Sequence, residues 1–202
     1  MVDIAVAAVM LALLVAPMLV VATIIKLTSA GPVLFRQQRY GKDKKPFTVY
    51  KFRSMAKEAP ADQATNSFAN ADSFITPVGK IMRKLSIDEL PQLINVLRGD
   101  MSVIGPRPVI LAEKSLIDLR DRYGANSVRP GVTGWAQING RDELSDAKKA
   151  AMDGEYVQKM SAMMDIKILL KTALVVISMA GQREGSEQRE VVGLAKNHKE
   201  IV

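Results

Sequence analysis

The chain has 202 residues, with 28 Lys and Arg against 21 Asp and Glu and a formal charge of +7 at pH 7. This suits one domain with a core and an anionic partner such as nucleic acid, a membrane surface or a phosphorylated substrate. Aromatic residues reach only 5%, there is no cysteine, and the one histidine is His198. Base-stacking platforms, thiol chemistry, zinc-thiolate sites and a Ser-His-Asp triad are thereby disfavoured or excluded, leaving carboxylates, Lys/Arg and an oxygen-liking ion such as magnesium.

Ile4 to Ile25 is an unbroken uncharged run between Asp3 and Lys26. As a helix it measures about 33 Å, enough to cross a hydrocarbon core. Pro17 in its middle removes one backbone hydrogen bond and kinks the helix. A kinked helix either crosses or turns back, and hydropathy leaves both open. Lys26, Arg36, Arg39, Lys42, Lys44 and Lys45 crowd the downstream side, which puts the rest of the chain on the cytoplasmic face.

Next come two strands, near 33–39 and 47–53, around the polar turn 41–46. Residues 56–77 lack periodicity and read as a loop. A helix is predicted over about 87–98, with Leu90, Leu93, Ile94 and Leu97 on one face, and another near 109–123. "RPGVTGWAQINGR" (129–141) reads as loop with a short strand. A helix over 145–160 has Ser145 as its N-cap. Residues 164–180 are amphipathic, with Lys167 and Lys171 one turn apart. They fit an interfacial helix and, equally, a helix packed on the core. The polar stretch 181–202 reads as a tail.

"SIDELPQLINVLRGDMSVIGPRP" (86–108) concentrates the chemistry. Ser86-Ile87-Asp88-Glu89 matches a capping box, in which the Ser86 hydroxyl and the Glu89 carboxylate cap one helix start. Pro91 makes that start awkward, whichever residue is the cap. Lys80, Arg83 and Lys84 precede the acids, and Arg98 and Arg107 follow. A helix start among cations is also a ready phosphate site, and carboxylates there would meet phosphate through a divalent cation. Arg107, fixed between Pro106 and Pro108, is either a solvated turn residue or an aimed guanidinium.

"RKLSIDELPQLINVLRGDMSVIGPRPV" together with "VRPGVTGWAQINGR" resembles the bacterial sugar transferase family, the monotopic phosphoglycosyl transferases acting on polyprenol phosphate. "GPVLFRQQRYGKDKKPFTVYKFRSM" and "MMDIKILLKTALVVI" extend the likeness over nearly the whole chain, in the minimal catalytic-domain form. The resemblance implies transfer of a sugar-1-phosphate from a UDP-sugar to undecaprenyl phosphate with release of UMP, the initiating step of glycoconjugate and polysaccharide synthesis. It implies that Asp88 is the nucleophile, forming a phosphosugar-aspartyl intermediate. Glu89 would hold magnesium with Asp88 or assist the second step. Arg107 and Arg83, with Lys51 and Arg129 from the neighbouring motifs, are the substrate- and phosphate-binding candidates. Asp165 also matches a family position, without an assigned role. The proline-broken N-terminal helix would re-enter rather than cross, although Ala16-Pro17 stands where many members have Ser-Pro.

The expected fold is therefore α/β but mainly helical and membrane-associated, with a re-entrant helix broken at Pro17, interfacial amphipathic helices and a small antiparallel hairpin. Its expected parts are a membrane helix over 1–30, a catalytic domain over 31–181 and a tail over 182–202. The expected setting is the bacterial inner membrane, with the catalytic domain on its cytoplasmic face and no nucleic-acid partner. The rival reading is a non-catalytic, membrane-anchored basic protein binding acidic lipid or a partner. It leaves the paired acids inside a cationic cluster unexplained.

Overall fold

A computed structural model describes residues 2–60, 70–140 and 144–178. The expected tail and the middle of the 56–77 loop lie outside the described residues.

The first helix, α1 (Val2–Thr28), runs through Pro17 without interruption. It is the one helix among the described residues long and apolar enough to cross a membrane. Being apolar all round, it has a stripe to spare for protein. Ala7, Leu11 and Leu14 pack against Val49, Leu93, Val96 and Met101. Further along, Met18, Val21, Ala22 and Ile25 pack against Phe52 and Met82. The opposite side leaves Leu13, Leu19, Val20 and Leu27 exposed. Both ends are fastened to the same body. Asp3 Oδ1 accepts from Ser102 Oγ at 2.9 Å and from the Val103 amide at 3.1 Å. Just past the other end, Arg53 Nη2 donates to the Ser29 carbonyl at 2.8 Å and to Ser29 Oγ at 2.6 Å.

The expected hairpin is present as β1 (Leu34–Tyr40) and β2 (Pro46–Phe52), antiparallel, with Gln37 opposite Val49. Helix α2 (Pro77–Lys84) follows the loop, with Thr76 Oγ1 accepting from the Gly79 amide at 2.9 Å. Thr-Pro is a helix-start signal, a capping hydroxyl followed by a proline at the first helical position.

The helix expected over 87–98 is shorter and later. Ile87–Glu89 forms a 3₁₀ turn, and α3 covers Gln92–Arg98. Pro91 offers no amide to bond back to Ile87. The chain instead makes i→i+3 bonds, Leu90 to Ile87 at 3.2 Å and Leu93 to Leu90 at 3.1 Å. Beyond it lie β3 (Ser102–Ile104) and β4 (Val109–Ile110). The helix expected from 109 begins only at α4 (Lys114–Arg122), because Val109 and Ile110 pair with Tyr40 and Arg39 and extend the hairpin to a three-stranded sheet, β2-β1-β4.

Strand β5 (Gly131–Thr133) pairs in parallel with β3, and the short helix α5 (Trp135–Ile138) follows. Helix α6 (Asp146–Gln158) starts at the expected cap, with Ser145 Oγ accepting from the Lys148 amide. Helix α7 (Ala162–Ser178) shares its faces between the two readings. Ile168 is buried with Ile104, Ile138 and Tyr156, while Met163, Ile166, Leu170 and Leu174 are exposed. Its Lys167 and Lys171 lie over the Trp135 ring, 5.0 and 6.0 Å from the centroid.

Candidate active site

The paired acids sit where the 3₁₀ turn meets α2 and β2. Both are buried, Asp88 at 8% exposure and Glu89 at 6%. The capping box does not form. Ser86 takes a left-handed conformation at φ 54°, its side chain makes no capping bond, and the Glu89 amide bonds the Ser86 main-chain carbonyl at 3.2 Å. The Glu89 carboxylate faces cations instead. Its Oε1 accepts from Lys51 Nζ at 2.8 Å and from Arg107 Nη1 at 3.0 Å.

Asn95 sets the register of this contact. Buried on α3, it donates from Nδ2 to the Thr48 carbonyl at 2.7 Å and accepts at Oδ1 from the Tyr50 amide at 3.1 Å. These bonds lock α3 to the part of β2 that ends in Lys51. Nothing in the sequence marked Asn95, which lies outside the apolar face of Leu93, Ile94 and Leu97 and beside the likewise buried Gln92. Asp100, the third acid of the motif, lies 3.4 Å from Asn95 Nδ2.

Arg107 reaches the site from a turn pressed against β5. The Gly105 amide bonds the Thr133 carbonyl and the Gly131 amide bonds the Pro106 carbonyl, each at 2.9 Å. A Cβ on Gly131 would lie 2.1 Å from the Gly105 nitrogen, so only glycine permits this approach. Arg39 Nη1 holds the Pro108 carbonyl at 2.8 Å.

The remaining candidates are placed differently. Arg83 stands in the last turn of α2, with Nε donating to Ser54 Oγ at 2.9 Å. Arg129 is exposed on the segment entering β5, and no described contact joins it to the acids. Asp165 accepts from the Tyr156 hydroxyl at 3.0 Å, tying α7 to α6. Pro17 is exposed on α1.

Burial draws Lys51 below the ordinary lysine range. Glu89 opposes that shift, and Arg107 reinforces it. The site is therefore a carboxylate pair with two close cations, at least one of them strained in its charged form. Among the described residues no three acidic or histidine side chains converge on a metal position. Asp88 and Glu89 are the acids of this site that could hold magnesium, an ion commonly held by one or two carboxylates plus substrate phosphates and water.

A family model described as "Bacterial sugar transferase" matches residues 1–179. The chain belongs to the bacterial sugar transferase family. Among relatives of this sugar transferase, EpsL of Bacillus subtilis, named a sugar transferase, is 44% identical over 158 residues, covering 78% of this chain and 76% of its own. The UDP-glucose:undecaprenyl-phosphate glucose-1-phosphate transferase of Escherichia coli is 44% identical over 173 residues, covering 82% of this chain and 37% of its own. The UDP-N-acetylgalactosamine-undecaprenyl-phosphate N-acetylgalactosaminephosphotransferase of Aeromonas hydrophila is 42% identical over 175 residues, with 82% and 40% covered. This sugar transferase thus spans most of the length of EpsL and well under half of the other two.

Proposed function

We propose that this chain transfers a sugar-1-phosphate from a UDP-sugar to undecaprenyl phosphate and releases UMP. What supports this reading most is the convergence of Lys51 and Arg107 on Glu89 directly beside Asp88, a charge pattern suited to a diphosphate. The relatives' names supply the substrate classes.

In the first step an Asp88 carboxylate oxygen attacks the phosphorus that bears the sugar. The P–O bond to UMP breaks, UMP departs with that electron pair, and an acyl phosphate remains on Asp88. In the second step an oxygen of undecaprenyl phosphate attacks the same phosphorus and returns Asp88 to a carboxylate. No net proton transfer is required. Splitting the transfer spares the protein from holding a soluble and a lipid substrate at once. Arg107 and Lys51 counter the charge on the transferring phosphate, with Arg83 and Arg129 contributing along the nucleotide and sugar phosphates. Asp88 and Glu89 would hold magnesium, which when bound neutralises diphosphate charge. The assay is direct: radiolabelled UDP-sugar, magnesium and undecaprenyl phosphate are incubated with the extracted protein, and label is followed into lipid. Label that stays in the aqueous phase with every UDP-sugar tried would reject the reading.

In this reading residues 1–30 form the membrane element, 31–181 the catalytic domain at the cytoplasmic face of the inner membrane, and 182–202 a tail. Helix α1 re-enters rather than crosses. Its two ends contact one body, through Asp3 to Ser102 and through Ser29 to Arg53, whereas a helix about 40 Å long crossing upright would carry Asp3 to the far side. A cysteine placed at Val2 should react with a membrane-impermeant maleimide only from the cytoplasmic side. Periplasmic labelling would rule out re-entry.

The depressed Lys51 gives a pH signature. Burial favours its neutral amine, so with rising pH the site loses a cation below the ordinary lysine pKa. The kcat/KM profile should fall on an alkaline limb that begins there. Lys51→Arg, which stays charged, should remove that limb whatever it does to the plateau rate. An unchanged limb in Lys51→Arg would assign it to another group.

A further inference from the structure

Arg120 and Asp153 form a buried pair that the proposed reaction does not use. Arg120, on α4, is 5% exposed and Asp153, on α6, is 1% exposed. Arg120 Nε and Nη2 both donate to Asp153 Oδ2, at 2.8 and 2.6 Å. The third nitrogen of the fork, Nη1, donates to the main-chain carbonyl of Arg107 at 2.9 Å. The guanidinium is thus spent on two partners, one of which is the backbone of a residue whose side chain meets Glu89.

A buried ion pair is weak evidence for stability, because desolvation cancels much of its attraction. Burial pushes the Asp153 carboxyl up even against the pull of Arg120. What the pair does provide is direction. The fork is planar and rigid, so an arginine fixed by two bonds to one carboxylate presents its last N–H at a set place. The Arg107 turn is held on its other side by Arg39 at the Pro108 carbonyl, and prolines on either side remove backbone freedom. The Arg107 side chain therefore leaves a backbone pinned at two successive carbonyls.

We propose that Arg120, held by Asp153, is a positioning residue that fixes the Arg107 backbone and so aims the Arg107 guanidinium at the transferring phosphate. This rests on the reading of Arg107 as a phosphate ligand. A displacement of about 1 Å in such a group can cost as much as about 100-fold in rate, and the pair holds off that displacement from behind the site.

The test is a set of variants assayed for label transfer under single-turnover conditions, with thermal midpoints measured alongside. Arg120→Lys keeps a charge on Asp153, but an ammonium lacks the fork's fixed third donor. The double change Arg120→Met with Asp153→Leu replaces the pair by apolar groups, a swap that buried pairs often tolerate. Each should lower kcat/KM at least tenfold, in protein whose midpoint stays near the parent's. In an Arg107→Ala background the same changes should cost less than twofold more, because the group they aim is gone. Parental turnover in Arg120→Lys would overturn the positioning role, as would an equal fold-loss in both backgrounds. Should the double variant not fold, Arg120→Lys alone decides. Parental turnover in Arg107→Ala would overturn the phosphate-ligand reading and this proposal with it. Impaired Arg107→Ala beside intact Arg120→Lys would overturn the positioning role alone.

Discussion

Asp88→Asn should lose sugar-phosphate transfer almost entirely while remaining folded. An amide has nearly the shape of the carboxylate but is no nucleophile at phosphorus, so the first step has no substitute. Removal of a covalent nucleophile from a cooperating set commonly costs about 10⁴-fold or more in kcat. The substitution is close to isosteric at a buried position, so it should move the thermal midpoint by only a few degrees, about 1 kcal/mol for a domain of this size. Two readouts belong together. Lipid-linked label measures turnover. Acid-quenched protein incubated with labelled UDP-sugar alone should carry label in the parent and none in the variant, and the parent's label should be released by hydroxylamine, as an acyl phosphate requires. Parental turnover in Asp88→Asn would remove Asp88 as the nucleophile and with it the two-step scheme.

Glu89→Gln should produce the second largest loss, with a different signature. The glutamine carbonyl oxygen still accepts from Lys51 Nζ and Arg107 Nη1, which lie 2.8 and 3.0 Å from Glu89 Oε1. What vanishes is the negative charge between two cations in a mostly buried place. Lys51, which burial already pulls down, then loses the partner that opposed that pull and gives up its proton more readily. One carboxylate also disappears from the proposed magnesium donors. A fall of about 100-fold in kcat/KM is expected, in the range seen when one preorganised electrostatic group is removed. The magnesium concentration for half-maximal rate should rise by about tenfold or more, in line with losing a supporting ligand group. Excess EDTA should stop the parent completely, and added magnesium should restore it. If the variant is slow but its magnesium requirement is unchanged, Glu89 serves as counter-ion to Lys51 and Arg107 and not as a metal ligand.

Local chemistry made much of this fold legible. The hairpin followed from two short strand-like segments around a polar turn, α6 from a serine cap, and α1 from an apolar run. The errors arose where two local signals competed or where a distant partner decided the outcome. The capping-box spacing of Ser86 and Glu89 was present, but Pro91 favoured a 3₁₀ turn, and two cations from elsewhere claimed the Glu89 carboxylate. Val109 and Ile110 are β-branched and favour a strand, and pairing with Tyr40 and Arg39 makes them one, in place of the helix expected from 109. The parallel match of β3 with β5 leaves no short-range trace. Within the candidate site, Asp88, Glu89 and Arg107 stand out in one short motif. The meeting of Lys51 with Glu89 across 38 positions, and the Asn95 bonds that set its register, depend on how the strand and α3 dock.

The packing of α1 bears on how the protein can be handled. An anchor that merely tethers a domain can be cut away to leave a soluble fragment. Here the stripe from Ala7 to Ile25 completes two clusters that also contain Val49, Phe52, Met82 and Leu93. Truncation after residue 28 would uncover both, along with the segment that carries Lys51 and the helices on either side of the acids. The helix is thus a wall of the body that carries the candidate site and, in the proposed reading, also its hold on lipid. If the proposed membrane seating holds, a helix fastened at both ends would also act as a depth gauge, setting how far above the bilayer the Asp88 carboxylate rides and so how far a lipid phosphate must rise to reach it.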